Sequence, residues 1–540
     1  MKRSAPLLTA AQMREIESRA IAEGRATGAG LMERAGAGVV GAMLAEYPAL
    51  GLGRHHALVL CGPGNNGGDG FVVARLLLAR GWQVTVWFHG SEARLPPDAR
   101  LMHDRFAAAG GGIRPMPQDQ RFDPHEPLQG PDLKPGYRVI VDALFGTGLT
   151  RPLPDPLLDA LWYLDNQIPE DTAFRIAIDA PSGLCLDSGR VLGEEDNVLP
   201  SHQDLTVTFH RMKRGHLLAQ GPEWCGKVRV ADIGLAGERD PLTGRLDLTT
   251  PDRGWWDKGN PDMFEANAHK YDYGHCLVVG GGPGQAGAAR LAARAALRTG
   301  AGLETLALPL AALLDAGRLP DAVIRRVVDT PDDLRTLLED RRIRSLCIGP
   351  GLGRQRARDL VPVALAAGRR CVLDADALTA FAGDPAELLG MLHDGCLLTP
   401  HGGEFSRVFP DIAQRLVEPA PTGPAYSRAD AVRDAVARAG CAVLLKGPDT
   451  VIGWPAKDCD RGGLYLNAAV GDTAAPWLAT AGAGDVLAGM IAGLATRSGI
   501  GRSAAVAAWL HAAAARRFGP GLIADDLPDQ LPGVFRDLGL

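Results

Sequence analysis

Short apolar runs that end in glycine recur along this chain. HALVLCGPG (56–64), VIVDALFGTG (139–148), HCLVVGGGPG (275–284) and SLCIGPGLG (345–353) share the pattern. Such runs read as strands buried on both faces, the usual state of a parallel sheet covered by helices. Helical patterns separate them, so the units are βαβ and the fold class is α/β. In open sheets of this kind, ligands bind outside the carboxyl ends of the strands, where these glycines fall. The chain has 68 glycines in 540 residues, against a usual ~7%. No Gly-X-Y period accompanies them, which excludes collagen. Hydrophobic residues at 46% and charged residues at 22% exclude disorder as the main state.

Length alone suggests three to four domains of about 150 residues, or two large α/β ones. The pattern favours two: 1–238, a linker over 239–264 with no clear period, and 265–540. The first segment, 9–46, reads as helical, with Thr9 as its N-cap. Strands are expected at 55–62, 82–88, 138–145, 174–179, 205–209 and 227–232. The second half repeats the alternation, with strands at 275–281, 303–308, 322–328, 344–349, 370–374, 396–399 and 441–446. Two Ala-rich helices, 485–498 and 502–517, close the chain. The stretch 111–136 reads as an irregular loop. Net charge is −6, so bulk charge gives no reason to expect nucleic acid as a partner. Nine cysteines are scattered with no CxxC pair. With no secretory h-region and no apolar run of membrane length, a reduced, cytoplasmic protein without membrane association is expected.

In the first half, CGPGNNGGDG (61–70) follows a strand and opens a helix. Gly62, Gly64 and Gly67 fit the dinucleotide fingerprint, in which a pyrophosphate meets a helix N-terminus. The acid expected at the end of the next strand is missing, and a tight βα turn is the alternative reading. VDALFGTGLTRPL (141–153) and IDAPSGL (178–184) also follow strands. Asn66, Asp142, Asp179 and Ser182 therefore converge on one crevice. Their oxygens suit a hard cation, and one carboxylate suits acid–base work. For any single Asp the alternative is a helix N-cap.

In the second half, GGGPGQAG (280–287) holds the same glycine spacing at Gly282, Gly284 and Gly287. IGPGLG (348–353), LDADAL (373–378) and LLTPHGGEF (397–405) follow strands, the last placing His401 in a loop. LLKGPDT (444–450) contains Lys446, notable because the chain has only eight lysines. TAGAGDVLAGMIAGL (480–494) is the most telling stretch. The N–H groups of Ala483 and Gly484, with the helix dipole, form an anion hole for a phosphoryl group. Asp485 is then placed to take a proton from a substrate hydroxyl. The alternative is an acid at a helix N-terminus, favoured by the dipole alone. No Walker A motif occurs.

The order GNNGGDG, VDALFGTGL and DAPSG resembles the NAD(P)HX epimerase domain. The order GPGLG, DADAL, TPHGGEF, LKGPDT and AGAGD resembles the nucleotide-dependent NAD(P)HX dehydratase. Together they resemble the bifunctional NAD(P)H-hydrate repair enzymes of bacteria. The resemblance implies an N-terminal Rossmann-like three-layer α/β/α domain and a C-terminal ribokinase-like α/β domain. It implies that the first interconverts R and S hydrates and that the second dehydrates the S epimer with ADP, releasing AMP and phosphate. It implies a potassium ion near Asn66, Asp142 and Ser182, and magnesium with the nucleotide. The implied hydrate contacts are Asn65, Asn66, Gly67, Gly68, Asp69, Gly146, Thr147, Gly148, Leu149, Thr150, Arg151, Pro152 and Asp179 in the epimerase. In the dehydratase they are Ala288, Gly353, His401 and Asp485. Lys446, Gly447, Pro448, Asp449, Thr450 and Gly484 are the implied nucleotide contacts. A homo-oligomer is expected, as for many large α/β enzymes.

The chemistry of the residues agrees. In a hydrated nicotinamide the hydroxyl sits beside the ring nitrogen. Its loss leaves an iminium, and water adding from the other face inverts the centre, with Asp179 as the acid–base group. Phosphorylation, with Asp485 as base, converts a poor leaving group into phosphate. For nucleotide phosphate, Lys446 and the neighbouring backbone are equal candidates. The chain departs from the family at Ala481-Gly482-Ala483-Gly484-Asp485, where a Ser hydroxyl is lost, at His269–Gly274, and over 467–480. Two other readings stand beside this one. One is a ribokinase-type kinase fused to a cofactor-binding domain, which would accumulate phosphorylated product. The other is an N-terminal half that binds without turnover.

Overall fold

The structure is a computed structural model that describes residues 6–116, 136–168, 172–193, 199, 202–238, 244–250, 269–315, 319–456 and 462–540. It divides into two compact units. One comprises Pro6–Arg245 with Glu418–Ser427, and the other Leu246–Val417 with Arg428–Leu540.

The N-terminal unit holds a seven-stranded sheet. Its strands are β1 (His56–Cys61), β2 (Gln83–Phe88), β3 (Gly112–Pro115), β4 (Tyr137–Ala143), β5 (Phe174–Ile178), β6 (Leu205–Phe209) and β7 (Lys227–Ala231). They lie in the order β3-β2-β1-β4-β5-β6-β7, and every pairing is parallel. The chain starts in the middle, runs to one edge and returns to the other side of β1. The topological switch point therefore lies between β1 and β4, where a doubly wound sheet opens a crevice.

Alternate residues of β1 separate the two layers, as strand geometry requires. Ala57, Val59 and Cys61 pack with α1 (Ala10–Ala22), α2 (Gly28–Glu46), α3 (Asn65–Ala79) and α4 (Pro97–Ala108). Leu58 and Leu60 pack with α5 (Asp155–Gln167) on the other face. The result is a Rossmann-like three-layer unit.

Two expectations change here. The helical stretch 9–46 is two helices. Thr9 caps α1 through its hydroxyl, which accepts from the Gln12 amide at 3.1 Å. Gly24 then turns left-handed at φ 70°, and Thr27 caps α2 by accepting from the Gly30 amide at 3.1 Å. The stretch 111–136 is not wholly irregular, because β3 is an edge strand. It is short and half-polar, so no apolar run marks it. Residues 117–135 of that stretch lie outside the described residues.

The C-terminal unit is a second α/β unit. Its strands are β8 (Leu246–Leu248), β9 (His275–Val279), β10 (Leu303–Leu308), β11 (Val323–Val327), β12 (Ile343–Ile348), β13 (Arg370–Leu373), β14 (Cys396–Leu398), β15 (Ala442–Leu445), β16 (Asp449–Trp454) and β17 (Gly463–Ala468). They run β8-β17-β16-β15-β14-β13-β12-β9-β10-β11. Pairing is parallel from β11 to β15, then antiparallel through β16 and β17. Residues 246–248, read as linker, form β8 beside β17. Residues 239–243 and 251–264 of the linker lie outside the described residues.

Helix α6 (Ala286–Arg298) packs against the helix that Asp485 heads, here numbered α8 (Ala483–Ala495). Between them in sequence lies the short α7 (Gly402–Val408), and α9 (Ile500–Phe518) follows. The α6–α8 seam has no room for side chains. A β-carbon at Gly489 would lie 2.1 Å from the Ala292 carbonyl oxygen, and one at Gly493 2.4 Å from that of Ala296. Among the described residues, no helix is long and apolar enough to cross a membrane.

Candidate active sites

In the N-terminal unit the glycines of 62–70 divide into two kinds. A β-carbon at Gly62 would lie 1.8 Å from the Leu144 carbonyl oxygen, and one at Gly67 2.0 Å from that of Gly62. Gly68 abuts Met32, and Gly70 abuts Ala143. Gly62, Gly67 and Gly70 let β1, β4 and α3 meet closely, and Gly68 lets α2 and α4 approach α3. Gly64 and Gly148 instead face open space. The fingerprint spacing thus serves mostly helix–sheet packing, and only its middle glycine borders the crevice.

That crevice is a cavity of about 470 Å³. Asn65, Asn66 and Asp69 of α3 line it, with Gly146, Thr147, Gly148 and Asp179. Leu149, Thr150, Arg151 and Pro152 continue the same loop beyond the lining. Helix α1 adds Met13, Arg14 and Glu17 to the wall, and Lys213 completes it. Sequence reasoning had given none of these four a role. Arg14 reaches the loop directly, donating to the Thr147 carbonyl at 2.7 Å.

Asp179 follows β5 in the left-handed region, at φ 65°. Few non-glycine residues adopt that conformation, and they concentrate at functional sites. Its carboxylate is fully engaged. Oδ1 accepts from Thr208 Oγ1 at 2.7 Å and from Lys213 Nζ at 2.9 Å. Oδ2 accepts from the Thr147 amide at 3.2 Å. The Asp179 carbonyl accepts from His216 Nε2 at 2.7 Å, while His216 Nδ1 accepts from the Lys213 amide at 3.0 Å. Burial and the Lys213 ammonium push the imidazole down to about 4. His216 is therefore neutral and holds the Asp–Lys pair in place.

Burial is the largest single influence on Asp179 and raises it, but the Lys213 ammonium and the polar groups bonded around the carboxylate together hold it below its usual range. Asp69 goes the other way. Burial, then the charges of Asp179 and Glu17, push it well above that range. Glu17 is also raised, chiefly by burial. One cavity thus contains a carboxyl held low and another pushed high, a divergence of the kind that separates acid from base.

Asp142 and Ser182 sit behind this wall. Asp142 Oδ1 accepts from Ser182 Oγ at 2.7 Å and from the Leu144 amide at 3.1 Å, and Oδ2 accepts from the Ser182 amide at 2.8 Å. Ser182 Oγ accepts in turn from the Phe145 amide at 2.9 Å. These bonds tie the end of β4 to the loop after β5. Asn66 Nδ2 is buried without a hydrogen-bond partner.

In the C-terminal unit, Gly482 turns left-handed at φ 87° and starts α8, with Ala483, Gly484 and Asp485 in its first turn. Burial, then the nearby Asp374 carboxylate, pushes Asp485 up to about 7. Lys446 does not pair with it. Its Nζ donates to Asp374 Oδ1 at 2.6 Å, and Thr399 Oγ1 donates to the same oxygen at 2.9 Å. A β-carbon at Gly484 would lie 3.4 Å from Lys446 Nζ, so the ammonium stands over the anion hole. Burial opposes that charge, but Asp374 outweighs it and raises Lys446.

Asp374, 1% exposed, lay within the LDADAL motif yet was not selected as a site residue. Neighbouring Asp376 accepts from the Gly353 amide at 2.8 Å. Ala288 lies on α6, its β-carbon 3.3 Å from where one would stand on Gly351. Residues 446–448 form the turn between β15 and β16, and Asp449 and Thr450 open β16. There Gly447 donates to Thr450 Oγ1 at 3.1 Å, Asp449 pairs with Arg428 at 3.1 Å, and the Pro448 carbonyl accepts from Ala469 at 2.7 Å. His401 is exposed and caps α7, its Nδ1 accepting from the Gly403 amide at 3.0 Å. Among the described residues, no cluster of three or more His, Cys, Asp or Glu side chains could hold a metal ion.

Two family models match the chain. One is described as YjeF-related protein N-terminus and covers 28–215; the other is NAD(P)H-hydrate dehydratase and covers 276–531. The bifunctional NAD(P)H-hydrate repair enzyme of Moorella thermoacetica is 36% identical over 98% of this chain and 97% of its own. The NAD(P)H-hydrate epimerase of Roseobacter litoralis is 42% identical over 42% of this chain and 99% of its own. Among solved structures, the ADP/ATP-dependent NAD(P)H-hydrate dehydratase of Bacillus subtilis, crystallised with ATP and magnesium, is 26% identical. That match has a TM-score of 0.41 and covers 51% of this chain and 93% of that one. The chain belongs to the family of bifunctional NAD(P)H-hydrate repair enzymes.

Proposed function

We propose that the two crevices carry the two steps of hydrate repair. The N-terminal unit epimerises R- and S-NAD(P)HX, and the C-terminal unit dehydrates the S epimer with ADP as phosphoryl donor. The observation that carries this reading is the N-terminal cavity itself, where Asp179 stands at φ 65° with its carboxylate bonded to Lys213 and to the Thr147 amide, and Asp69 shares the same lining. Asp69, whose carboxyl burial pushes up, is the group to supply a proton to the departing hydroxyl. Ionised Asp179 stabilises the iminium that remains and accepts a proton from water adding to the other face. Lys213 keeps Asp179 ionised, and the loop 146–152 holds the nicotinamide against it.

In the C-terminal unit, Asp485 titrates near 7, which suits a base acting on an alcohol at neutral pH. The Ala483 and Gly484 amides, with Lys446 above them, stabilise charge on the phosphoryl group in flight. Phosphate then leaves, and the dihydropyridine is restored. Magnesium would be carried on the nucleotide phosphates.

Asn66, Asp142 and Ser182 fit a potassium ion by their donors: an amide, a carboxylate and a hydroxyl, all hard oxygens. Asn66 Oδ1 would face the ion, while its Nδ2, buried without a hydrogen-bond partner, is a donor available to the hydrate. When bound, the ion would supply positive charge at the crevice. The eight described cysteines are free and buried, which suits a reducing cytoplasm.

The test is to mix the protein with R and S hydrates and ADP and to follow regenerated NADH by absorbance. Full recovery of both epimers is expected. No recovery with ADP or ATP would overturn the reading, and phosphorylated product without NADH would favour a small-molecule kinase. Epimerisation should weaken when potassium is replaced by a large inert cation.

A further inference from the structure

The N-terminal unit includes one segment that the chain supplies from far along its length. Glu418–Ser427 clusters with this unit and not with the residues on either side of it. The attachment has several parts. Ala420 and Gly193 exchange backbone hydrogen bonds, each of 3.0 Å. Arg190 donates to the Glu418 carbonyl. Ala420 and Ala425 join Cys185 and Leu192 in a buried apolar cluster, and Leu149 packs against it.

The decisive contact is with the substrate loop. The Gly423 amide donates to the Thr150 carbonyl at 2.8 Å. A β-carbon at Gly423 would lie 3.3 Å from the Leu149 carbonyl oxygen and 3.4 Å from Thr150 Cα. Three residues earlier in the same loop, the Thr147 amide donates to Asp179 Oδ2. One end of the loop therefore touches the catalytic carboxylate, and the other rests on the 418–427 segment.

We infer that residues 418–427 position the substrate loop of the epimerase site. The inference rests on the reading that residues 146–152 contact the hydrate. Residues 418–427 are not part of the cavity lining, so they act through the loop. A loop that loses this support keeps its chemistry but misplaces the ring.

Two full-length variants test it. One replaces 419–426 with alternating Gly and Ser, and the other is Gly423→Val, with Gly423→Ala as the conservative control. Epimerisation of the R hydrate is measured for kcat and KM separately, and dehydration of the S hydrate serves as the control in the same molecule. The segment replacement and Gly423→Val should lower epimerase kcat/KM by about 100-fold, the cost of an ångström-scale misplacement. The loss should fall mainly on KM, and Gly423→Ala should stay near wild type. Dehydration should be unchanged. Should the segment replacement unfold the N-terminal unit, Gly423→Val alone decides. Wild-type epimerase kinetics in Gly423→Val, or in a folded segment replacement, would overturn the inference. A wild-type protein without epimerase activity would instead overturn the reading of the site.

Discussion

The two crevices are built from the same parts and tuned in opposite directions. Each places an aspartate at the carboxyl end of its sheet with a lysine nearby, buried at 213 and half-buried at 446. In the epimerase unit the lysine pairs with the aspartate itself, Lys213 to Asp179 at 2.9 Å. In the dehydratase unit it pairs with a second carboxylate, Lys446 to Asp374 at 2.6 Å. Asp179 is held below its usual range, whereas Asp485 rises to about 7. Burial raises both, so burial does not make the difference. What decides is which carboxylate receives the ammonium. A stabiliser of developing positive charge needs to stay ionised, and a base for a hydroxyl needs affinity for a proton.

The largest expected effect comes from removing the direct pair. Lys213→Met leaves the Asp179 charge buried and alone, a change that costs about 3–5 kcal/mol when a buried pair is broken. The thermal transition of the N-terminal unit should fall, and epimerisation should drop by about 100-fold or more. Calorimetry with a rate measurement checks both, and retention of full activity would break the comparison.

Asp485→Asn comes next. Dehydration should fall by about 100- to 10,000-fold, the contribution of a positioned base, while epimerisation continues. The pH signs follow from the shifts. The raised Asp485 keeps its proton in the folded state after the unfolded chain has lost it. The stability of the C-terminal unit therefore declines as pH rises from about 4 toward 7. In Asp485→Asn that decline should flatten. The lowered Asp179 acts oppositely. Its contribution is present above the unfolded carboxylate range and is lost as pH falls through the folded value. Chemical denaturation of each unit across that window separates the two.

A smaller effect sharpens the comparison. Asp374→Asn removes the second-largest cause of the Asp485 rise and frees Lys446. The acid limb of the dehydration pH profile should move to lower pH, and an unmoved limb would show that burial alone sets the base. The smallest effect is His401→Ala. If His401 only caps α7, the loss is a few tenths to about 1 kcal/mol of stability, with KM for the hydrate unchanged. A raised KM would restore the substrate contact expected from the sequence.

Strands buried on both faces announce themselves as apolar runs, which is why the parallel strands other than β3 and β8 were legible to within two residues at each end. The antiparallel β16–β17 pair was not, because β16 begins at Asp449, inside a motif that drew attention to its chemistry. Strands β3 and β8 are too short to carry the apolar signal. Asp179 stood out because it follows a strand, and Asp485 because small residues precede it at the head of an apolar helix. Lys213 was not, although lysine is scarce here, because its partner is 34 residues away and no local motif surrounds it. The glycine spacing of 62–67 was legible, but its main purpose was not. Whether a glycine admits a ligand or a neighbouring carbonyl depends on what stands opposite, and that is a property of three dimensions.

The backbone at Asp179 has an experimental consequence. A residue at φ 65° is tolerated best when it is Gly, Asn or Asp. Asp179→Asn therefore removes the charge, and with it the pair to Lys213, without adding backbone strain. Asp179→Ala or Asp179→Val would add conformational strain to the loss of charge. Position 179 thus admits few side chains before any substrate arrives, and aspartate alone among them brings a carboxylate.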